Sequence, residues 1–487
     1  MSKPSKPITV AALPKQFFVT RERLDPEPGW QRFQLGDYHL HLGPGVGATR
    51  IVQAGQSDGS ETVVLGWFGY RDKFYTGEQR RDLRIDVSVE EAYPDLTGRF
   101  VVLSRQGERL YCTADAGSQF PVVYRPETGE IGSTPLVLDW TMALENASQV
   151  TTEFSRADGT VWYPFGATPY AGVERLLPQQ TVVLDSRGAE LIDQRSAGIV
   201  PLDVSQIHGK AADFIRSMDE SDENLECHLT AGWDSRMVLS ASWPLKHRIS
   251  YLTYLADGAT ARIDTEVANH IARRFRLGHQ TIPVVTPSRD EIEQWLGRTS
   301  HCIRDSVMDL TKTIVETYAH RFGLAGVGGE VGRALYWNRR DTDAMGLTPE
   351  ELLGRLGFDE TSGALSRADQ WLSRYRDQSR SHILDRAYID IRLGCWAGPS
   401  LGGHLVEKPT LSPFNNLAIY ESMLALPESY RLSGAFARDF IAQSSEELSR
   451  IPVNRPAGWR RLRNLPREAA RLLPKETKAR LRRLSPA

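Results

Sequence analysis

The stretch Leu225–Trp243, LECHLTAGWDSRMVLSASW, places a short apolar run, a glycine-containing turn and a helix-like run in direct succession. A turn between a strand and a helix start attracts phosphate, because it exposes backbone N–H groups at the positive end of the helix dipole. Asp234 would repel phosphate there unless a divalent cation lay between them, and Mg²⁺ prefers carboxylate and phosphate oxygens. The stretch therefore predicts a magnesium–polyphosphate site in which Thr230, Ser235 and the turn amides hold phosphate oxygens.

The pattern of apolar runs and turn residues differs on either side of Pro201. Before it, short apolar or alternating runs are separated by Gly, Asp and Pro, which is typical of antiparallel strands. After it, strand-like and helix-like runs alternate, as in a parallel sheet with crossover helices, and later segments look helical. We predict an α+β antiparallel sheet domain over residues 1–200 and an α/β domain with a parallel sheet and a helical C-terminal part over 201–455. The first helix of that second domain should begin near Ser205.

Length and composition set broad limits. A chain of 487 residues exceeds the roughly 250–300 at which single cores tend to split, so two domains are expected. Hydrophobic residues at 40% and charged residues at 25% are ordinary for a soluble globular protein, and a net charge of −2 excludes little. No apolar run approaches the roughly 20 residues of a transmembrane segment, and no signal peptide is recognisable, so we expect a cytoplasmic protein.

The chain ends in a basic tail, residues 456–487. From Arg455 onward, eleven basic residues stand against two acidic ones, a local charge of +9. The tail is either a solvated terminal helix packed on the acidic body or a contact for RNA, an acidic peptide or an anionic membrane face. No DNA partner is expected.

The sequence of this turn also resembles a known nucleotide-binding motif. LTAGWDSR resembles the S-G-G-x-D-S pyrophosphate loop of the ATP-pyrophosphatase enzymes, most closely that of the asparagine synthetase family with its β-lactam synthetase and lasso-peptide cyclase relatives. Thr replaces the first Ser and Ala231 replaces the first Gly, which adds a Cβ where the family has none. The resemblance implies ATP and Mg²⁺ as cofactors, bound by Thr230, Ala231, Gly232, Trp233, Asp234 and Ser235.

A second stretch, LAGVGGEVGRALYW, is similar to the family's second pyrophosphate segment, G-x-G-x-D. The resemblance implies that Glu330 replaces the usual Asp and shares the magnesium ion with Asp234, and that the segment's glycines bind the nucleotide: Gly326, Gly328 and Gly329. ISYLTYLA would meet the adenine at Leu252. Arg455 would steady pyrophosphate in place of a family lysine, so the implied catalytic set is Asp234, Glu330 and Arg455.

Other segments extend the resemblance over about residues 60–455. IDTEVANHIARRF resembles the family's second helix, and LSPFNNLAIY resembles its P-F-L-D segment, although Asn416 lacks the acid. The first half resembles a degenerate, Ntn-hydrolase-like glutamine-amidotransferase domain, and the second half the adenine nucleotide alpha hydrolase-like synthetase domain. The family's catalytic cysteine follows the initiator Met, where this chain has Ser2, and Cys112 lies in a predicted strand. We therefore expect no glutamine hydrolysis. The four cysteines form no C-x-x-C pair, so no zinc knuckle or disulfide framework is predicted.

Val327 departs from the family at a functional position. Asparagine synthetases carry Glu there and β-lactam-forming relatives Tyr, each suited to handling an amine proton. A base would have to come from Tyr336, Asp385 or Asp390, or the nucleophile needs no base. Aromatic and acidic residues on helices are more often packed or solvated than catalytic.

Together these features predict an AMP-forming, ATP-dependent carboxylate–amine ligase acting on small-molecule or peptide substrates. The alternatives are a catalytically silent nucleotide-binding scaffold and a glutamine-dependent asparagine synthase.

Overall fold

The computed structural model describes residues 13–454 except 26–27, 54–59, 78–81, 139–153, 194–197 and positions 222, 257, 319 and 405. Within this part the fold is mixed, with mainly antiparallel sheets before residue 200 and a parallel sheet after it. This confirms the predicted combination of the two sheet types. The predicted basic tail, together with Ser2 and Arg455, lies outside the described residues.

The first half is built from short strands that alternate with glycine turns. Two short α-helices accompany them in the described ranges, α1 (Val89–Ala92) and α2 (Pro135–Leu138). The strands are β1 (Phe17–Thr20), β2 (Gln31–Leu35), β3 (Tyr38–Leu42), β4 (Ala48–Gln53), β5 (Ser60–Tyr70), β6 (Lys73–Tyr75), β7 (Leu83–Ile85), β8 (Thr97–Gln106), β9 (Arg109–Ala114), β10 (Val123–Tyr124), β11 (Ile131–Gly132), β12 (Val161–Trp162), β13 (Glu174–Arg175), β14 (Gln180–Asp185) and β15 (Gly188–Asp193).

These strands form two larger sheets, ordered β13-β10-β11-β1-β3-β2 and β15-β14-β9-β8-β5-β4-β7, with β6 paired to β5. Their pairings are antiparallel except that of β4 with β7. The ring of Phe120 lies 5.6 Å from that of Phe17 on β1 and 5.8 Å from that of Trp67 on β5. The two sheets therefore share one core.

The second half begins with helix α3 and alternates strands with helices, as predicted. Its parallel sheet has the order β18-β17-β16-β20-β21, and β19 pairs with β12. The strands are β16 (Leu225–His228), β17 (Ser250–Leu255), β18 (His279–Pro283), β19 (Ile303–Arg304), β20 (Phe322–Leu324) and β21 (Thr410–Leu411).

Helices follow the strands of this sheet along the chain and form the C-terminal part. The α-helices are α3 (Val204–Asp219), α4 (Trp233–Ala241), α5 (Ala259–Phe275), α6 (Arg289–Arg298), α7 (Thr311–Tyr318), α8 (Pro349–Leu356), α9 (Ser362–Leu372), α10 (Arg380–Ala387), α11 (Gly398–Leu401), α12 (Leu417–Leu424), α13 (Glu428–Leu432), α14 (Ala435–Ala442) and α15 (Glu446–Arg450). A π-helix spans Tyr388–Ala397, and 3₁₀ turns span Tyr93–Asp95, Trp243–Leu245, Met308–Leu310, Gly329–Gly332 and Ser373–Tyr375.

Two helix starts bear on the predictions. Helix α3 is capped by Asp203, whose side chain accepts from the Gln206 amide while the Gln206 side chain accepts from the Asp203 amide. This reciprocal capping box places the N-cap at Asp203 and the first helical residue at Val204, close to Ser205 as predicted. Helix α4 begins after Gly232, which has no side chain to cap it. The first amides of α4 are therefore left for other acceptors.

The two halves touch through the segment before α12. The Asn416 side chain donates to Leu96 O and Thr97 Oγ1, each at 3.1 Å, and Asn415 donates to Asp115 Oδ1 at 2.7 Å. A single hydrophobic core includes side chains from both halves. The predicted division at residues 200 and 201 stays a prediction. No helix in the described ranges is long and apolar enough to cross a bilayer.

Candidate functional site

The loop between β16 and α4 is closed by its own hydroxyl groups. Thr230 Oγ1 and Ser235 Oγ share a hydrogen bond of 3.0 Å, and Ser235 Oγ also accepts from the Thr230 amide at 3.1 Å. The Gly232 amide donates to Thr230 Oγ1 at 3.2 Å. The sequence predicted that these hydroxyls hold phosphate oxygens. In this structure they form hydrogen bonds within the loop, and a bound anion would have to displace those bonds.

Residues from outside the loop fix its turn. The Ala231 amide donates to Asp264 Oδ1 on α5 at 2.8 Å. Its carbonyl accepts from Arg236 Nη2 and from the Asn454 amide, both at 2.9 Å. Arg236 is fully buried and also donates to the carbonyls of Ile451 and Pro452. The loop is thus held between α5 and the chain after α15.

The second glycine segment follows β20 and packs against the start of α4. A methyl group added at Gly326 would lie 2.6 Å from the Asp234 carbonyl carbon and Cβ. One added at Gly329 would lie 3.3 Å from Asp234 Oδ1, and one at Gly328, where φ is +94°, would lie 2.4 Å from the Tyr420 hydroxyl. Only glycine allows this approach. The structure therefore brings Gly326 and Gly329 to Asp234, and Gly328 to Tyr420 on α12.

Two carboxylates meet where these loops meet. Arg333 Nη2 donates to both oxygens of Asp234, at 2.7 and 2.8 Å. Glu330 Oε2 accepts from the Tyr388 hydroxyl at 2.6 Å and from the Gly328 amide at 3.2 Å. Burial, followed by the charge of Glu330, raises the pKa of Asp234 above its usual range against the opposing effect of Arg333. Although 27% of the Asp234 side chain remains exposed, surrounding protein atoms desolvate it.

This pair fits a hard divalent cation. No group of three His, Cys, Asp or Glu side chains that could hold a metal ion occurs in the described part of the chain. Mg²⁺ commonly takes only one or two carboxylates and completes its shell with phosphate and water oxygens. A carboxylate has about four lone-pair sites, so the bonds from Arg333 and Tyr388 leave acceptor capacity on Asp234 and Glu330. A cation between them would also relieve their mutual repulsion.

The remaining nucleotide-binding candidates are placed less directly. Leu252 is 2% exposed, and its side chain packs against Ile314 and Val406 in a small core cluster. Its contact with adenine stays a prediction. Trp233 is the first residue of α4, and its partly buried side chain packs on the main core. The role of Arg455 also stays a prediction, although the preceding residue, Asn454, contacts the first loop.

The candidates for a replacement base differ in their surroundings. Asp385 accepts from Trp337 Nε1 and Arg431 Nη1, each at 2.7 Å, and is buried among helices. Asp390 is 1% exposed and accepts from the side chains of Trp371, Tyr375 and Arg374. These bonds explain both acids as structural groups. The ring of Tyr336 lies 6.2 Å from that of Tyr388, the partner of Glu330, so Tyr336 is the candidate connected with the site.

Three residues that shape this site were not among the candidates predicted from the sequence: Asp264, Arg333 and Tyr388. Asp264 and Arg333 lie inside segments quoted for their resemblance, and Arg333 stands three positions after Glu330. A basic residue so close to a predicted pair of acids was a usable signal. Tyr388 gave no signal, because its contact depends on how the π-helix packs against the second loop.

All four cysteines of the chain are buried and unpaired with one another. Burial raises the pKa of the Cys395 thiol to about 11 and raises the pKa values of the Cys112, Cys227 and Cys302 thiols as well. A buried thiol with a raised pKa is a poor nucleophile, because the thiolate is the reactive form.

No protein-family model matches the chain, and no curated protein matches it. Solved structures match it in part. An NMN synthetase from Francisella tularensis is 12% identical, with 35% of this chain and 71% of that chain covered and a TM-score of 0.20. An NH3-dependent NAD synthetase from Campylobacter jejuni subsp. jejuni, in complex with nitrate, is 17% identical, with 38% and 96% covered and a TM-score of 0.20. The allosteric regulatory enzyme of purine biosynthesis is 9% identical, with 58% and 64% covered and a TM-score of 0.22. TM-scores this low do not assign a fold or a function to this chain.

Proposed function

We propose that this protein is an ATP-dependent, AMP-forming ligase that joins a carboxylate to an amine. The observation that carries the proposal is the meeting of Asp234 and Glu330 where two glycine loops leave the adjacent parallel strands β16 and β20. Ligands of open α/β sheets bind beyond the carboxyl ends of the strands, which is where both loops lie. We further propose that the second half has an adenine nucleotide alpha hydrolase-like fold and that the first half is a degenerate, amidotransferase-like domain.

In the proposed reaction, a carboxylate oxygen attacks the α-phosphorus of ATP, and the bond to pyrophosphate breaks. An amine then attacks the acyl carbon of the acyl-adenylate, loses a proton, and releases AMP. Asp234 and Glu330 would hold Mg²⁺, which supplies positive charge beside the leaving pyrophosphate. The uncapped start of α4 offers amides to the same charge.

The amine is free ammonia or an amine of the substrate, because we propose no glutaminase activity for this chain. The burial of every cysteine supports this part of the proposal. Glutamate release from added glutamine would contradict it and would favour a glutamine-dependent asparagine synthase.

Exchange of labelled pyrophosphate into ATP tests the adenylation step, with Mg²⁺ and a panel of small-molecule and peptide carboxylates. The wild type should exchange with at least one carboxylate, and Asp234→Asn and Glu330→Gln should each lose about 100-fold, the size of effect found when one group stabilising transition-state charge is removed. The control Glu174→Gln removes a similarly exposed carboxylate, paired with Arg367, and should stay within about twofold. If no carboxylate supports exchange and ATP binding is unchanged by Asp234→Asn, the protein is a nucleotide-binding scaffold.

A further inference from the structure

Arg333 is a positively charged residue of the site, and only some of its hydrogen-bond donors have partners. Nη2 donates to both oxygens of Asp234, whereas Nε is buried and has no hydrogen-bond partner among the described residues. The side chain is 23% exposed, so solvent and dissolved ligands can reach part of it. A buried donor without a partner is costly, and a guanidinium offers five donors in a planar fork that matches phosphate oxygens.

The charges at this point are unbalanced. Asp234 and Glu330 together carry two negative charges when ionised, against the single positive charge of Arg333. A divalent cation at Asp234 would replace the positive charge that Arg333 now supplies and would repel the guanidinium. The phosphate oxygens that arrive with the cation offer Arg333 stronger, charge-assisted bonds.

We propose that Arg333 exchanges partners when the substrate binds, leaving Asp234 for the β- and γ-phosphate oxygens of ATP. This inference rests on the proposed function and names a polyphosphate-binding residue in addition to the two carboxylates. Before exchange, Arg333 keeps Asp234 neutralised and is itself unavailable to anions. The exchange therefore couples polyphosphate binding to the presence of the metal ion.

Calorimetric binding of ATP, AMP and inorganic pyrophosphate to the full chain, with and without Mg²⁺, tests the exchange. With Mg²⁺, Arg333→Met should weaken ATP and pyrophosphate binding about tenfold and AMP binding less than twofold, in line with the loss of a charge-assisted contact. Arg367→Met is the matched control, because it removes another partly exposed arginine paired with a carboxylate. Arg333→Lys keeps the charge without the fork and should be intermediate; it replaces Arg333→Met if that variant does not fold.

Without metal, a second set of variants separates a phosphate contact from a structural role. Asp234→Asn frees Arg333 and should strengthen metal-free pyrophosphate binding several-fold, and adding Arg333→Met to that variant should abolish the gain. A gain that survives in the double variant, or Arg333 variants that bind ATP with Mg²⁺ as the wild type does, would overturn the inference and leave the ligase proposal standing. If the wild type binds neither ATP nor pyrophosphate with Mg²⁺, both proposals fail.

Discussion

The hydroxyl of Tyr388 donates a 2.6 Å hydrogen bond to Glu330, which joins the π-helix Tyr388–Ala397 to the second glycine loop. Tyr388 is 4% exposed, and burial raises its pKa well above the ordinary value, so it remains a donor at neutral pH. The Gly328 amide is the second donor to the same carboxylate oxygen. The helical part of the protein therefore fixes the orientation of one of the two proposed metal ligands. π-Helices are rare and frequently occur at functional sites.

Tyr388→Phe should raise the Mg²⁺ concentration that ATP binding requires. Removing the hydroxyl leaves Glu330 with a single donor and a freer side chain, and the free energy of unfolding should fall by about 1–2 kcal/mol. We expect the Mg²⁺ concentration for half-maximal ATP binding to rise about threefold or more in a titration. Tyr375→Phe removes a comparable hydrogen bond, of 2.9 Å to Asp390, and should lower stability without changing the Mg²⁺ titration. Equal titrations for both variants would contradict a role of Tyr388 at the site.

Gly326→Ala should disrupt the site by forcing the two loops apart. The added methyl group would meet backbone atoms of Asp234 at 2.6 Å, and backbone cannot yield as a flexible side chain does. ATP affinity, measured by calorimetry, should fall more than about tenfold, with a destabilisation of about 1–3 kcal/mol from overpacking. At Gly354, inside α8, an added methyl group meets no atom within 4 Å. Gly354→Ala should therefore bind ATP normally and gain up to about 1 kcal/mol from helix propensity. Normal ATP binding by Gly326→Ala would show that the loops need not touch.

Glu226→Gln should become more stable than the wild type as the pH rises. Glu226 lies on β16 and is 3% exposed; burial raises its pKa from 4.5 to about 7, only partly offset by Arg321. Between about pH 4.5 and 7 the folded protein binds a proton that the unfolded chain has lost, so the stability of the wild type falls with rising pH across this window. Glutamine cannot titrate. The variant should match the wild type near pH 4.5 and exceed it by up to about 3 kcal/mol above pH 7.

Urea denaturation at several pH values measures this difference. Glu220→Gln serves as the control, because it removes an exposed carboxylate at the end of α3 and should give a curve parallel to that of the wild type. A constant difference between Glu226→Gln and the wild type from pH 4.5 to 8 would show that Glu226 titrates alike in the folded and unfolded chain.

Asn416→Asp should destabilise the protein although it restores the acid of the resembled family. The Asn416 side chain is fully buried, its oxygen accepts from the Ile419 amide, and its amide group donates to Leu96 O and Thr97 Oγ1. An aspartate keeps the helix cap but faces the Leu96 carbonyl with an acceptor, which should cost about 2–4 kcal/mol in chemical denaturation. Thr361→Asp, at the more exposed cap of α9, should be nearly neutral. If Asn416→Asp left the stability unchanged, the contact between the two halves would tolerate a charge.

The sequence was most informative where function depends on local backbone geometry. The strand, turn and helix around Thr230 form as predicted, and a Cβ added at Gly326, Gly328 or Gly329 would crowd Asp234, Tyr420 or Met237, respectively. It was less informative about partners. The turn hydroxyls predicted to hold phosphate bond to each other, and the apolar side chain of Leu252 is packed into a core cluster. A hydroxyl group or an apolar side chain can contact several kinds of partner, so the residue type does not determine which partner it contacts in the folded protein.

Local sequence patterns were enough to predict the alternation of strands and helices, the two glycine loops, and two acids as candidates for binding a cation, because each of these depends on residues close together along the chain. Tertiary structure alone decided which distant groups complete the site. Arg333 reaches Asp234 across 99 positions, Tyr388 reaches Glu330 across 58, and Asp264 reaches the Ala231 amide across 33. Such contacts depend on the packing of separate elements against one core, and local sequence patterns do not encode that packing.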